Sequence, residues 1–195
     1  MARFSLVEVI TAAQSGQVIS FPTDTLPALA VQPEQAARIY QLKQRPPEKP
    51  LILMAAHLDQ LLSYAQGTAV ECVQWQAIAN QYWPGALTLV LPASDRLPAA
   101  VNPLDRSSIG LRIPDCAIAR QILAETGPLA TTSANRSGQP ALLDPDAIAA
   151  EFPEVAVLAE DPWPAPSGLA STVVRWQPDG QWQVLRQGSI QLGEG

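Results

Sequence analysis

The chain contains few of the residues on which several common classes of protein depend. Its 195 residues include one histidine, two cysteines and two lysines. The cysteines, Cys72 and Cys116, stand alone without the close spacing of metal ligands, which predicts small buried thiols in a reduced compartment. Apolar runs stay well short of the roughly 18 residues that a membrane helix requires, and the N-terminus lacks the basic and apolar segments of a signal peptide. We therefore expect a cytoplasmic protein with no membrane partner.

Two catalytic motifs and a basic surface are missing as well. The sequence has no Gly-x-Ser-x-Gly nucleophile elbow and no Gly-x-x-x-x-Gly-Lys phosphate loop. Its one histidine, His57, follows a predicted strand, where a packing or surface role is commoner than that of a catalytic base. The net charge of −6 argues against a protein that coats nucleic acid, because the phosphate backbone favours a surplus of lysine and arginine.

Both lysines fall in one basic segment, Lys43-Gln44-Arg45-Pro46-Pro47-Glu48-Lys49. The paired prolines end any helix that enters from the left and stiffen the backbone, so the three cations should lie at a rigid corner after a helix. A polyanion such as the phosphate tail of a nucleotide would need such a corner. A solvated basic loop is the alternative interpretation.

Apolar patterns typical of strands and helices alternate along the chain. Predicted strands cover residues 18–21, 51–55, 86–91, 108–113, 128–131, 155–159, 171–176 and 182–186, the last two joined by the turn Pro178-Asp179-Gly180. Predicted helices run from Ser5, Pro33, Thr68, Cys116 and Asp144 to Gly16, Lys43, Trp83, Glu125 and Phe152. This alternation predicts one α/β domain over residues 1–195, with a twisted mixed parallel and antiparallel sheet flanked by helices. Thr23-Asp24-Thr25 follows a strand, at the edge where such sheets bind ligands.

Seven short motifs give the sequence a resemblance to a known family. In chain order they are Phe21-Pro22-Thr23-Asp24-Thr25, Lys43-x-Arg45-Pro46, Trp83-Pro84-Gly85, Gly110-Leu111-Arg112-Ile113-Pro114, Ser133-x-Asn135, Pro166-Ser167-Gly168-Leu169-Ala170-Ser171-Thr172-Val173 and Leu185-Arg186-Gln187-Gly188. With these motifs the chain resembles the YrdC-like proteins, the threonylcarbamoyl-AMP synthases, from about Leu6 to Gly188. The resemblance implies the YrdC-like fold. Larger members carry an additional C-terminal domain, which we do not expect in this chain.

The resemblance implies that ATP, L-threonine and bicarbonate are converted to threonylcarbamoyl-AMP and pyrophosphate. The threonine amine becomes a carbamate, and a carbamate oxygen then attacks the α-phosphorus of ATP. Other proteins of the tRNA modification machinery transfer the product's acyl group to a tRNA adenosine, so direct tRNA binding should be weak or indirect. Such a site holds two anions together, and positioning and electrostatic stabilisation should carry the catalysis. We expect Mg²⁺ to accompany the triphosphate without a dedicated protein metal site.

The resemblance also implies roles for individual residues. Lys43 and Arg45 are expected to bind the ATP phosphates and to be catalytic. The other expected ATP-binding residues are Ser133, Asn135 and Arg186, with Lys49 and Thr132 as weaker candidates. The expected threonine-binding residues are Thr23, Arg112 and Ser171, with the guanidinium of Arg112 holding the carboxylate through two hydrogen bonds. Structural alternatives remain: an ordinary turn at Ser133-Ala134-Asn135, an ion pair at Arg112 and a plain strand hydroxyl at Ser171.

One segment departs from the family pattern. The family usually continues Pro-Thr-Asp-Thr with an aromatic residue and then glycine, whereas this chain has Leu26, Pro27 and Ala28. Proline removes a backbone donor, and alanine disfavours the positive φ that glycine allows, so the threonine side of the pocket could be reshaped. This departure leaves open a YrdC-like paralogue that binds a nucleotide but uses another acyl substrate or none. The resemblance leaves a second alternative open, a non-catalytic RNA-binding protein.

Overall fold

The strands of residues 3–159 and 163–192, which the computed structural model describes, join in a single mixed sheet. They are β1 (Ile19–Phe21), β2 (Ala28–Val31), β3 (Ile52–Met54), β4 (Leu87–Pro92), β5 (Ser108–Arg112), β6 (Leu129–Ser133), β7 (Ala156–Val157), β8 (Thr172–Trp176) and β9 (Trp182–Arg186). Their order across the sheet is β7-β1-β2-β6-β3-β5-β4-β8-β9. The pairs β1–β7, β3–β5 and β4–β8 are parallel and the others antiparallel. The predicted fold class is confirmed.

The described residues form six α-helices, three of which begin at side-chain caps. They are α1 (Leu6–Gln14), α2 (Ala37–Lys43), α3 (Leu58–Leu62), α4 (Ala69–Tyr82), α5 (Ala117–Thr126) and α6 (Pro145–Glu151). Ser5 and Thr68 each form a capping box with the glutamate three residues later, and Asp144 accepts the backbone N–H of Ala147. None of the helices in these residues is both long and apolar enough to cross a membrane.

Three elements differ from the predictions. Strand β2 was not predicted, because its four residues follow a proline and lack a clear period. The predicted helix from Pro33 is a 3₁₀ turn (Pro33–Gln35) followed by α2, and the short α3 was not predicted. Of the two free cysteines, Cys116 is buried as predicted and stands just before α5 without a side-chain capping hydrogen bond, and Cys72 is only half-buried.

The two faces of the sheet are used differently. In β8, Thr172, Val174 and Trp176 are buried, and Trp176 packs edge-on against Trp75 of α4. Val173 and Arg175 alternate with them and point to the opposite face. There, alternate residues of β3, β4, β5, β6 and β8 line a cavity. The apolar core therefore lies on the helical side of these strands, and the other side carries the candidate site.

Candidate active site

The cavity on this face of the sheet has a volume of about 400 Å³. Strand pairing places one row of residues side by side across its floor: Thr131, Ile52, Gly110, Val90 and Arg175. The middle of this row has to be glycine, because a Cβ at Gly110 would lie 2.6 Å from a methyl carbon of Ile52. The pairing of distant strands thus builds a continuous floor that no single segment of the sequence contains.

The charge of the cavity is opposite to that of the chain. Four arginines line it, Arg45, Arg112, Arg175 and Arg186, and no aspartate or glutamate of residues 3–159 and 163–192 is part of the lining. Hydroxyl and amide groups complete the polar lining, from Thr25, Thr88, Asn102, Ser108, Thr131, Thr132, Ser133 and Ser171. In a protein of net charge −6, such a lining favours an anionic ligand with many oxygen acceptors.

Lys43 lies directly behind the cavity wall. It is 1% exposed, and its ammonium donates hydrogen bonds to the Ser133 carbonyl and to Oδ1 of Asn135, the latter 3.1 Å away. In the described part of the chain, no carboxylate forms an ion pair with it. Burial, together with the nearby charge of Arg45, lowers the pKa of Lys43 to about 7. A nearby phosphate would stabilise its protonated form.

Asn135 holds this arrangement together. Its Oδ1 accepts from Lys43 and from the Ser133 hydroxyl, 2.7 Å away, and its Nδ2 donates to the carbonyls of Arg136 and Gln139. The structure therefore brings Lys43, Ser133 and Asn135 together. The Asn135 amide is fully used by these protein contacts, so in this conformation it positions its neighbours. Its direct contact with ATP stays a prediction.

Arg45 lies at the stiff corner that the sequence predicts. Gln44 has a φ of 50° and ends α2, after which the guanidinium of Arg45 donates to the carbonyls of Lys49 and Pro50 at 2.7 and 3.0 Å. Arg45 and Thr132 line the cavity, while Lys49 is exposed and does not. Three N–H groups of Arg45 have no hydrogen bond to the described residues and are available to a ligand.

Arg112 is 2% exposed and holds a buried ion pair at the other end of the cavity. Its Nη2 donates to Asp24 at 2.6 Å, its Nη1 to the Thr25 hydroxyl at 2.7 Å, and its Nε to the Gly85 carbonyl at 3.0 Å. The ion pair that the sequence leaves open as the structural alternative for Arg112 is thus present. One N–H on each terminal nitrogen has no hydrogen bond to the described residues, and a carboxylate binds such a pair.

The two threonines of Thr23-Asp24-Thr25 have different positions: Thr23 is buried outside the cavity, and Thr25 lines it. Thr23 is fully buried outside the cavity lining, and its hydroxyl donates to the Leu26 carbonyl and accepts from the Thr25 N–H. Thr25 lines the cavity instead, which the resemblance did not indicate. Its position two residues after Thr23 in the same turn was the one signal by which the sequence could have indicated it. The contact of Thr23 with the amino acid stays a prediction, and the geometry favours Thr25.

Ser171 and Arg186 form the wall on the β8–β9 side. Nε and Nη2 of Arg186 donate to the Ser171 carbonyl at 3.0 and 2.9 Å. The hydroxyl oxygens of Ser171 and Thr88 are 2.8 Å apart. A β-bulge next to Val173 lets both Leu185 and Arg186 face the cavity. Arg175, on the same side, was not predicted as a site residue.

The departure at Pro27 and Ala28 leaves the backbone regular. Ala28 lies in β2, paired with Phe21 and Ser133, and Gln44 is the one non-glycine residue of the described segments with a positive φ. The Pro27 carbonyl accepts the N–H of Ala134. Alanine therefore meets no conformational penalty at position 28, and the strain that the sequence suggested is absent.

Comparisons with known proteins agree with this geometry. A family model described as "Telomere recombination", for the Sua5/YciO/YrdC domain, matches residues 11–188. A protein of Vibrio vulnificus named threonylcarbamoyl-AMP synthase is 37% identical over 69% of this chain and 74% of its own. One of the same name from Vibrio cholerae is 32% identical over 94% and 97%. The crystal structure of Pyrococcus abyssi Sua5 complexed with L-threonine matches with a TM-score of 0.81 and 27% identity, over 97% of this chain and 56% of that one.

Proposed function

The chain belongs to the Sua5/YciO/YrdC family, and from this membership we propose that it is an L-threonylcarbamoyladenylate synthase. This nucleotidyltransferase combines ATP, L-threonine and bicarbonate into threonylcarbamoyl-AMP and releases pyrophosphate and water. The observation that carries the proposal is the cavity lined by four arginines and, among the described residues, by no carboxylate. A triphosphate and an amino-acid carbamate are both anions, and a site that brings them together must overcome their repulsion.

The nucleotide phosphates bind at the end of the cavity formed by Arg45, Ser133 and the buried Lys43. The three free N–H groups of Arg45 supply hydrogen bonds, and Lys43, behind Ser133, supplies positive charge. None of these groups needs to form a covalent bond. They stabilise the charge that builds on the phosphates as pyrophosphate leaves, which agrees with a catalysis based on positioning.

The amino acid binds at the other end of the cavity, beside Arg112, Thr25 and Ser171. The two free N–H groups of Arg112 hold the threonine carboxylate, and the hydroxyls of Thr25 and Ser171 are polar partners for the rest of this small ligand. Asp24 holds Arg112 in place. The carbamate on the threonine nitrogen is then directed toward the middle of the cavity, where the α-phosphate of ATP lies.

Magnesium enters this proposal as part of the substrate. Within residues 3–159 and 163–192, no cluster of three or more histidine, cysteine, aspartate or glutamate side chains could hold a metal ion. Mg²⁺ bound to ATP keeps phosphate oxygens and water as ligands and needs few protein ligands. The arginines of the cavity neutralise the remaining negative charge.

The product would serve tRNA modification in the cytoplasm, and transfer to tRNA belongs to other proteins. Because the chain is acidic overall, we expect tRNA to bind it weakly and with a steep dependence on salt. Titration of tRNA at several salt concentrations measures this. Submicromolar binding that tolerates salt would instead favour the RNA-binding alternative.

The proposed reaction is tested by the release of pyrophosphate from ATP. We expect release only when L-threonine and bicarbonate are both present, with threonylcarbamoyl-AMP identified by mass spectrometry. The matched control is Arg38→Ala, which removes an exposed arginine that does not line the cavity and should leave the rate unchanged. Threonine-independent release, or no release by a well-folded protein that still binds ATP, would support the paralogue with another substrate.

A further inference from the structure

Arg175 differs from the other arginines of the cavity because its guanidinium is free. Arg45, Arg112 and Arg186 each donate at least two hydrogen bonds to protein oxygens. Arg175 is exposed at the cavity and has no hydrogen bond or ion pair to the rest of the described chain. All five of its N–H donors are available in a fixed planar arrangement that fits phosphate oxygens.

The position of Arg175 along the strands separates it from the threonine end. It pairs with Val90, which pairs with Gly110, which in turn pairs with Ile52. Arg112 lies two residues beyond Gly110 along β5, toward the proposed amino-acid site. Pro50, which accepts a hydrogen bond from Arg45, lies two residues before Ile52 in the opposite direction. Arg175 is therefore displaced from Arg112 toward the phosphate end of the cavity.

Arg175 also lies across the cavity from that phosphate end. Its row reaches Thr131 after four strand spacings, which is a lateral distance of about 19 Å at roughly 4.8 Å per spacing. Thr131 is two residues from Ser133, which contacts Lys43. Pro50, whose carbonyl accepts from Arg45, leads into β3, which is three strand spacings from β8, or about 14 Å at the same spacing. Arg45, held at Pro50 beside β3, and Arg175 of β8 therefore line the cavity on either side of β4 and β5.

We infer that Arg175 binds the terminal phosphates of ATP, the part that leaves as pyrophosphate. This rests on the proposed function, in which the carbamate at the Arg112 end attacks the α-phosphate, so that the β- and γ-phosphates extend away from Arg112. A free guanidinium at the exposed side of the cavity meets those phosphates and retains the leaving group through charge-assisted hydrogen bonds.

One structural alternative is specific to this position. Hydrogen bonds from Ser107, and to a smaller extent the charge of Arg175, lower the pKa of Asp105. Arg175 could therefore act only by stabilising the loop that contains Asp105. In that case its replacement would lower the thermal midpoint and leave nucleotide affinity unchanged.

Calorimetric titrations of ATP, pyrophosphate and AMP into the protein and its Arg175→Ala variant test the inference. We expect ATP and pyrophosphate to bind the variant about tenfold more weakly, about 1.4 kcal/mol, and AMP to bind it about as well as the natural protein. Arg175→Lys keeps the charge and should recover part of the loss. Arg38→Ala, an exposed arginine outside the cavity, should change none of the three affinities.

Two results would overturn the inference: an equal loss for AMP and pyrophosphate, or unchanged ATP affinity with a lower thermal midpoint. Failure of the proposed function is distinguishable from both. If the natural protein binds pyrophosphate through Arg175 but releases none in a threonine-dependent reaction, the synthase assignment fails and the phosphate site stands. If it binds no pyrophosphate, the phosphate site fails, whatever the reaction shows.

Discussion

A buried cation lies at each end of the cavity, Arg112 in its lining and Lys43 behind its wall. Of these two cations, only Arg112 has a carboxylate partner among the described residues. Arg112 is paired with Asp24 at 2.6 Å and shares a network with Thr25 and Gly85. Lys43 contacts neutral oxygens of Ser133 and Asn135. An ion pair makes a buried charge tolerable without a ligand, whereas a buried ammonium without a counterion is costly.

In the proposed function, this difference gives the two ends different tasks: Arg112 positions its ligand, and Lys43 needs negative charge from its ligand. The charge of Arg112 is already balanced by Asp24, so a threonine carboxylate would only accept hydrogen bonds from the two unused N–H groups of Arg112. Lys43 is not balanced, and in the proposed function a phosphate would supply the missing negative charge. Nucleotide binding would then recover the stability that burial of Lys43 costs the ligand-free protein.

The largest expected effect is on catalysis at the unbalanced end. Lys43→Met should reduce threonylcarbamoyl-AMP formation by about 100-fold or more, by analogy with the loss of one preorganised donor to a developing charge. The thermal midpoint should stay unchanged or rise, because the variant removes an uncompensated buried cation. Product formation and thermal unfolding are measured on the same preparation. Near-normal synthesis by Lys43→Met would remove the basis for the phosphate end.

The opposite result is expected at the balanced end. Arg112→Met leaves Asp24 without its partner and should destabilise the fold by about 2–3 kcal/mol, less than for a fully buried pair because the Asp24 side chain is 17% exposed. The double variant Asp24→Asn/Arg112→Met should recover part of this stability in denaturant unfolding. If Arg112→Met and Lys43→Met change stability alike, the contrast between the two cations does not hold.

A smaller effect is expected from the protonation of Lys43. Its pKa of about 7 in the free protein should rise when a phosphate binds, because a nearby anion favours the charged form. Binding then takes up a proton, and ATP affinity should fall by up to about tenfold between about pH 8 and pH 9. Calorimetry in buffers of different ionisation enthalpy measures this uptake. Lys43→Met should abolish it, and uptake that persists in the variant would assign the proton elsewhere.

The same pKa difference has a consequence for the ligand-free protein. In the unfolded chain the lysine pKa is about 10.4, above the folded value of about 7. Between these two values the unfolded state binds more protons, so the contribution of Lys43 to the stability of the folded state increases with pH. Below about pH 7 both states are protonated and the burial penalty is fully present. Lys43→Met should remove this part of the pH dependence.

The smallest expected effect concerns the wall between the two ends. Ala28→Gly should lower stability by about 0.5–1 kcal/mol, since glycine weakens a strand, and should leave L-threonine affinity unchanged. The reason is that Ala28 has an extended backbone paired with Phe21 and Ser133. L-threonine is titrated with a nonhydrolysable ATP analogue present. Tighter threonine binding by Ala28→Gly would show that the sequence departure does reshape the amino-acid end.

Local patterns predicted most of the elements but not their contacts. The helix starts at Ser5 and Thr68, the proline corner after Lys43 and the turn before β9 all depend on neighbouring residues, and the structure confirms them. Strand β2 was missed because its apolar residues gain their strand structure from pairing with β1 and β6, which are distant in sequence.

The site shows the same division between local and distant information. The motifs brought Lys43, Arg45 and Ser133 to attention, and the structure places all three at one end. The roles of Asp24 and Thr25 as partners of Arg112 depend on how a turn packs against a strand end about 90 residues later along the chain. Arg175 became visible only through strand register, because its sequence neighbours give no sign of the cavity.

The order of the strands also has a consequence for how the cavity forms. Some neighbours in the sheet, such as β2 and β6 or β4 and β8, are far apart along the chain. Pairing of such distant segments slows folding, because long loops must close first. Arg175 and Arg186 come from β8 and β9, the last two strands of the described residues. During synthesis, therefore, the earlier strands can pair before β8 and β9 exist, and the cavity is completed only when these two strands join the sheet.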